Sequence, residues 1–292
     1  MFLIPSLMLA LVAGALTQGD FGVGVHDEIR NIEVGARAPY TAEYVCQKPE
    51  LKESDIRSPE CIVNSFGVEP SILLWGDSNA AHYVGLLGEL AKHYRFSFRN
   101  IAHSACPPLL GSAERFTPAQ RVQACRKSNK IVIPSLAEYE MIILSGAWGT
   151  YLKSSSEQFK PELAATISTL IEDGHKVLLI GQIPRLESVD RQCPQKKVKL
   201  KFLNCQAQAN GELSSVFATN EEIRKLAEDL GASYIDFNDA LCEGQVCSGY
   251  FKDQLLYFDK GHLSVFGSVK LGEQVVDQGI GQDLFVEVQE GD

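Results

Sequence analysis

One stretch constrains this chain more than any other: Ser71-Ile-Leu-Leu-Trp-Gly-Asp-Ser-Asn-Ala-Ala-His82. Ile72 to Trp75 is a short apolar run ending at Gly76, the pattern of a buried parallel strand. After Asp77-Ser78, residues Ala80 to His93 change to helical spacing, with Tyr83, Leu86, Leu87 and Leu90 on one side. Ser78 therefore falls on a tight strand-to-helix turn at the carboxyl end of a strand, the edge where open α/β sheets bind ligands. The first helical turn has N–H groups without internal partners, and they favour negative charge developing nearby. A hydroxyl placed there is a candidate nucleophile. The competing reading is an N-cap serine, because Asp-Ser before a helix is common capping chemistry. Asp77 is structural on either reading, its carboxylate satisfying N–H groups of the turn.

From Ser71 onward strands and helices alternate. The expected strands are Ile72–Trp75, Phe96–Ile101, Met141–Ser145, Lys176–Gly181 and Ser233–Phe237. The expected helices are Ala80–His93, Pro118–Leu136, Pro161–Asp173, Asn210–Leu230 and Val265–Val276. Pro118 and Pro161 suit helix starts, and Gly174 and Gly231 suit helix ends. This alternation predicts a parallel sheet with right-handed crossovers in three layers. Five strands fit the flavodoxin-like order 2-1-3-4-5, with the first strand central. The chain divides into a hydrophobic segment over 1–18, a linker and extension over 19–68, and an α/β domain over 69–292. The 19–68 region is rich in Gly, Pro and charge, and Gly22-x-Gly24 reads as a flexible joint because no strand precedes it.

A nucleophilic serine needs a base, and the base needs an orienting acceptor. Tyr257-Phe-Asp-Lys-Gly-His-Leu-Ser264 supplies both: Asp259 and His262, three apart, sit just ahead of the last helical pattern. His103, in the loop after the second strand, is the runner-up base. His82 lies four residues after Ser78, so helical spacing can bring it to the same face. Trp148 and Tyr151 follow the third strand; they read either as core aromatics or as a platform for the apolar face of a sugar.

Gly76-Asp77-Ser78 and Asp259-x-x-His262 resemble the SGNH (GDSL-like) hydrolase superfamily. Together with Ala105-Cys-Pro-Pro-Leu109 and Tyr257-x-Asp-x-x-His-Leu-Ser264, they resemble more narrowly the SGNH domain fused to membrane acyltransferase-3 proteins, which O-acetylate bacterial surface glycans. The resemblance covers Ile72 to the C-terminus and implies the three-layer fold with a triad of Ser78, His262 and Asp259. It also implies an oxyanion hole completed by a glycine after the second strand and an asparagine after the third. This chain has no glycine at the usual place and no asparagine at all: the blocks read His103-Ser-Ala-Cys-Pro-Pro-Leu-Leu-Gly111 and Leu144-Ser-Gly-Ala-Trp-Gly149. Backbone N–H groups near Ala105, or of Gly146 and Ala147, are the substitutes, and Asn79 is a further donor beside the N–H of Ser78. Asn79, Gly146, Ala147, Trp148 and His82 complete the set of residues expected near substrate.

Composition narrows the function. A net charge of −10 and a pI near 5.2 argue against nucleic acid, because no basic stripe can neutralise phosphates. The one basic cluster, Lys196, Lys197, Lys199 and Lys201, reads as a solvated loop cap. Eight cysteines fall as sequence neighbours, and local pairing is the simplest of the 105 connectivities: Cys46–Cys61, Cys106–Cys125, Cys193–Cys205 and Cys242–Cys247. No Cys-x-x-Cys occurs, and neither a metal nor a cofactor is expected. An even count in loops favours an oxidising compartment. Met1 to Leu16 carries no charge. It reads as a secretory signal lacking a basic n-region, as a short membrane span or, from the family resemblance, as the tail of a last membrane helix. The domain is thus expected in the bacterial periplasm, with membrane contact through that segment.

These readings converge on an extracytoplasmic O-acyltransferase that moves an acetyl group from a donor, supplied by a membrane acyltransferase-3 domain, to a glycan hydroxyl. The alternatives are a secreted carbohydrate O-acetylesterase and a non-catalytic glycan-binding domain that serves such an acyltransferase.

Overall fold

The computed structural model describes residues 23–205 and 210–289. The hydrophobic segment over 1–18 lies outside the described residues. The first four sheet strands are β1 (Gln47–Lys48), β2 (Ile62–Val63), β3 (Ile72–Gly76) and β4 (Phe98–His103). They are followed by β5 (Met141–Ser145), β6 (Lys176–Ile180), β7 (Asn210–Glu212) and β8 (Ser233–Ile235). The main sheet runs β1-β4-β3-β5-β6-β8, with β2 also on β4, while β7 joins a small separate sheet. All pairs of the main sheet are parallel except β2 with β4. The five longer-range strands β4-β3-β5-β6-β8 reproduce the expected 2-1-3-4-5 order, and the apolar run of β3 is central and buried at every residue.

Alternation along the strands divides the core between the two faces of the sheet. Ile72, Leu74, Ile143, Leu178 and Ile180 pack with Tyr83, Leu86, Leu87 and Leu271 on one face. Leu73, Trp75, Ile142, Leu144, Val177 and Leu179 pack with Trp148, Phe159, Leu163 and Ile167 on the other. Strands buried on both faces lose the apolar–polar alternation of a half-exposed sheet, so Ile72–Trp75 reads as a continuous apolar run.

Several elements depart from their expected bounds. The second strand begins at Phe98, not Phe96. The Ser78–Tyr94 helix ends at a left-handed Arg95 (φ 61°), and Phe96 turns to stack on Phe285 with ring centroids 5.5 Å apart. The third helix starts at Trp148 and runs to Glu172, with a non-helical Ser155 and Pro161 inside it. A proline at a helix start was therefore misleading; the break falls at Ser155, ahead of the proline. Asn210–Glu212 is a strand because it pairs with Val246–Ser248, and the next helix spans Ser214–Asp229. The region read as linker contains a helix over Val23–Gly35, and Lys196 and Lys197 lie on a helix, Cys193–Lys199, rather than a loop. They pair with Asp190 and Asp253. β1 and β2 lengthen the sheet beyond β4, and the Cys46–Cys61 bridge between them is buried in the core.

Two helices set the geometry of the site. Ser78–Tyr94 packs along Val265–Asp277 with very little space between them: a Cβ on Gly272 would lie 2.8 Å from the Leu86 carbonyl oxygen. Ser268 bonds the buried backbone of the opposite helix, donating to the His82 carbonyl at 2.5 Å and accepting the Leu86 N–H at 3.0 Å. This contact carries the Asp259–His262 loop, which precedes the second helix, to the start of the first. All four expected disulfides are formed.

Candidate active site

The sheet register gathers the site along one edge. Gly76 at the end of β3 is level with Ala102 of β4 and Ser145 of β5, and Ser145 is level with Ile180 of β6. The segments leaving these strands carry Ser78, His103 to Ala105, Gly146-Ala147 and Gly181-Gln182 to the same carboxyl edge.

Ser78 is the first residue of its helix, and Asp77 is the N-cap. The Asp77 carboxylate is buried and accepts the backbone N–H of Asn79 at 2.7 Å, as a capping aspartate does. Its other oxygen accepts the Ala147 N–H at 2.9 Å and the Tyr151 hydroxyl. Burial first, and then the Asp77 charge, hold the Tyr151 phenol well above its usual range, so it remains a donor. Asp77 thus fastens the turn carrying Ser78 to the loop after β5, and its structural role stands.

His262 closes a second loop. Tyr257 and Leu263 form a β-bridge, and the Phe258 N–H donates to the His262 carbonyl at 2.8 Å. Asp259 accepts the N–H groups of Gly261 at 2.8 Å and His262 at 2.9 Å, and both its oxygens lie within 3.0 Å of His262 Nδ1. Partial burial works against ionisation of Asp259, but the bonds from His262 and the two backbone N–H groups outweigh it and bring the carboxyl down to about 2. A carboxylate on Nδ1 selects the tautomer with its proton there, leaving Nε2 as an acceptor. Nε2 lies 2.8 Å from Ser78 Oγ. The array therefore runs unbroken from hydroxyl to imidazole to carboxylate.

The other expected residues fall differently. His103 is buried, and its Nε2–H donates to the Pro49 carbonyl at 2.6 Å, so it faces the chain and not the serine. Trp148 is fully buried with its indole N–H on the Ile180 carbonyl, which removes it as a sugar platform. Tyr151 is likewise core. The Ala147 N–H is already donated to Asp77 and cannot serve an oxyanion. Asn79 is buried, with its amide nitrogen 3.2 Å from Asp77. His82 is fully buried, its ring centroid 5.9 Å from that of His262, so it packs behind the imidazole instead of meeting substrate. Burial foremost, then the neighbouring His262, push its pKa well below the usual histidine value. Gly146 holds its place at the end of β5, where a Cβ would press 3.1 Å from the Trp148 ring.

A cleft of about 400 Å³ opens over Ser78 and His262. Ala105 lines it in a left-handed backbone conformation (φ 57°), and its N–H has no acceptor among the described residues. Gln182, Arg115 and Arg185 also line it. None of these three was singled out in the sequence. Gln182 could have been, since it follows β6 at the ligand-binding edge. It accepts the Gly149 N–H at 2.6 Å and is held by Asn220.

The chain belongs to the family described as the SGNH domain (fused to AT3 domains), whose model matches residues 45–277. The fold is also that of the lipopolysaccharide acetyltransferase periplasmic domain of Salmonella ser. Paratyphi A, at 16% identity and a TM-score of 0.60, covering 88% of this chain and 97% of that one. More distant likenesses include an acetylxylan esterase from Geobacillus stearothermophilus (12% identity, TM-score 0.39, 70% of this chain and 92% of that one). A GDSL-like lipase from Bacteroides thetaiotaomicron is similar at 10% identity and a TM-score of 0.39, over 73% of this chain and 88% of that one. No curated protein matches the chain in sequence.

Proposed function

We propose that this chain is an extracytoplasmic O-acyltransferase domain that moves an acetyl group onto a hydroxyl of a cell-surface glycan through an acyl-Ser78 intermediate. The observation that carries this reading is the 2.8 Å contact of Ser78 Oγ with His262 Nε2, backed by Asp259. The family and the likeness to the Salmonella lipopolysaccharide acetyltransferase periplasmic domain support a glycan substrate, and the four disulfides suit an oxidising compartment. A membrane acyltransferase-3 domain is the proposed acetyl supplier, with the segment over 1–18 as the membrane contact.

In the first half-reaction Ser78 Oγ attacks the acetyl carbonyl while His262 Nε2 takes its proton. The C–O bond to the leaving group then breaks, and His262 returns the proton to that oxygen. In the second half a sugar hydroxyl gives its proton to His262 as its oxygen attacks the acetyl carbon; the bond from that carbon to Ser78 Oγ then breaks, and His262 returns the proton to Oγ. Asp259 holds the Nδ1–H throughout and stabilises the imidazolium. The negative carbonyl oxygen would be met by the backbone N–H of Ser78, free at the first helical position, and by that of Ala105.

Intact-protein mass spectrometry with p-nitrophenyl acetate tests the proposal. A gain of about 42 Da on the Ser78 peptide, lost in Ser78→Ala and discharged faster by acceptor glycan than by buffer, is the expected result. Discharge at a rate indifferent to glycan identifies an esterase. Absence of any adduct or turnover leaves only the binding module.

A further inference from the structure

The charge of the cleft is opposite to that of the chain. The whole protein carries a formal charge of −10, yet the described lining holds two arginines, Arg115 and Arg185, and a single carboxylate, Asp77. Asp77 is buried, with its oxygens taken by Asn79, Ala147 and Tyr151, so it offers nothing to a ligand.

Among the described residues Arg115 is only weakly paired and Arg185 is not paired at all. Arg185 makes no ion pair among the described residues, and it lies against the catalytic loop. A Cβ on Gly261 would sit 2.9 Å from its Nη1 and 3.5 Å from its Cζ, so the guanidinium lies directly against the residue next to His262. Arg115 arrives from a different segment, the 3-10 turn Ala113–Phe116. It reaches Glu162 only at 3.6 Å and stays 61% exposed, and an exposed pair of this kind is weak. Its fork of N–H donors therefore remains largely open. Guanidinium groups match carboxylate and phosphate oxygens in pairs, and two of them lining one cleft with Ser78 favour an anion bound in that cleft.

We propose that the acceptor glycan presents an anionic group, a carboxylate or a phosphate, which Arg115 and Arg185 hold while a neighbouring hydroxyl meets acyl-Ser78. This rests on the acyl-transfer reading and adds the substrate class to it. A polyanionic acceptor would be repelled by the chain as a whole, so recognition must come from this cleft. It must also weaken with salt, since the arginines are exposed.

Calorimetric titration of the Ser78→Ala protein tests the proposal apart from the chemistry, because binding is read with the nucleophile removed. Trigalacturonic acid is compared with neutral α-1,4-galactotriose, and glucose 6-phosphate with glucose. The acidic member of at least one pair should bind about tenfold more tightly or better at low salt. That preference should fall toward parity in about 0.5 M salt and in an added Arg115→Gln/Arg185→Gln double substitution, while Arg115→Lys/Arg185→Lys retains part of it. Which pair responds tells carboxylate from phosphate. Equal affinity for acidic and neutral sugars, a preference that survives loss of both arginines, or no sugar binding at all would overturn the proposal. Wild-type turnover of p-nitrophenyl acetate reports separately on the triad.

Discussion

Asp77 accepts the backbone N–H of Ala147 at 2.9 Å, linking the turn that carries Ser78 to the loop after β5. The residue beside Ser78, the proposed nucleophile, is thus the fastener of the site, and it bonds Asn79 and Tyr151 as well. Asp77→Asn would turn an amide NH2 toward N–H donors in a buried place. Breaking such charged bonds should cost about 2–3 kcal/mol, read as a lower urea midpoint, and acyl transfer should fall with it as Ser78 loses its register. Tyr151→Phe removes only one bond to that carboxylate and should cost about 1.5–2 kcal/mol. An Asp77→Asn protein of wild-type stability would contradict this account.

The Asp259 carboxyl lies at about 2 in the folded protein, below its ordinary value of 3.8. A value depressed by folding contributes stability that is present above about pH 4 and is lost as the pH falls through about 2. With the side chain 47% exposed, solvent screening limits that contribution to about 1 kcal/mol. Asp259→Asn should therefore be less stable than wild type at neutral pH, and the gap should close near pH 2. A stability gap as large at pH 2 as at pH 7 would refute the assignment.

Disulfide loops of different length should contribute differently. Cys46 and Cys61 are 15 residues apart and Cys242 and Cys247 only five. In the chain-entropy model, loops of these lengths are worth about 3 and about 2 kcal/mol respectively. Cys46 and Cys61 also lie in the core between β1 and β2, so replacing that pair by serine leaves polar groups in apolar surroundings. Thermal melts of the two double-serine variants should rank them in that order. The reverse ranking would mean that β1 and β2 contribute little to the sheet.

How much of this was legible depended on whether the signal was local. Ser78, Asp259 and His262 each sit in a short motif whose neighbours define a turn or a loop, and the fold brings them within hydrogen-bond reach. The strand order followed from apolar runs alternating with helical spacing. Trp148 stays open between core and platform in the sequence, because an aromatic just past a strand can turn either way. Here the helix begins at Trp148 itself and draws the indole under the sheet to Ile180. Arg115, Arg185 and Gln182 carried no motif; they acquire meaning only when segments far apart in sequence share one cleft.

Ala105 gives the last test, because it occupies a conformation that its side chain disfavours. Its φ of 57° is left-handed, which costs a residue with a Cβ roughly 1 kcal/mol relative to glycine. The family resemblance leads one to expect a glycine as a donor after the second strand. No glycine stands at the usual place in the His103–Gly111 block, but Ala105 adopts the glycine-like backbone without being glycine. Strain of this kind, in a residue lining the cleft beside Ser78, is consistent with a backbone N–H held for use. Ala105→Gly should therefore raise stability by up to about 1 kcal/mol and keep most of the activity, because the same backbone is reached at lower cost. Ala105→Val should lose stability and activity together, since a β-branched residue resists positive φ. Losing one oxyanion donor typically costs about 2.7–4 kcal/mol of transition-state stabilisation, so the valine variant should fall by about a hundredfold or more in p-nitrophenyl acetate turnover. An Ala105→Val protein that folds and turns over at the wild-type rate would remove Ala105 from the oxyanion hole.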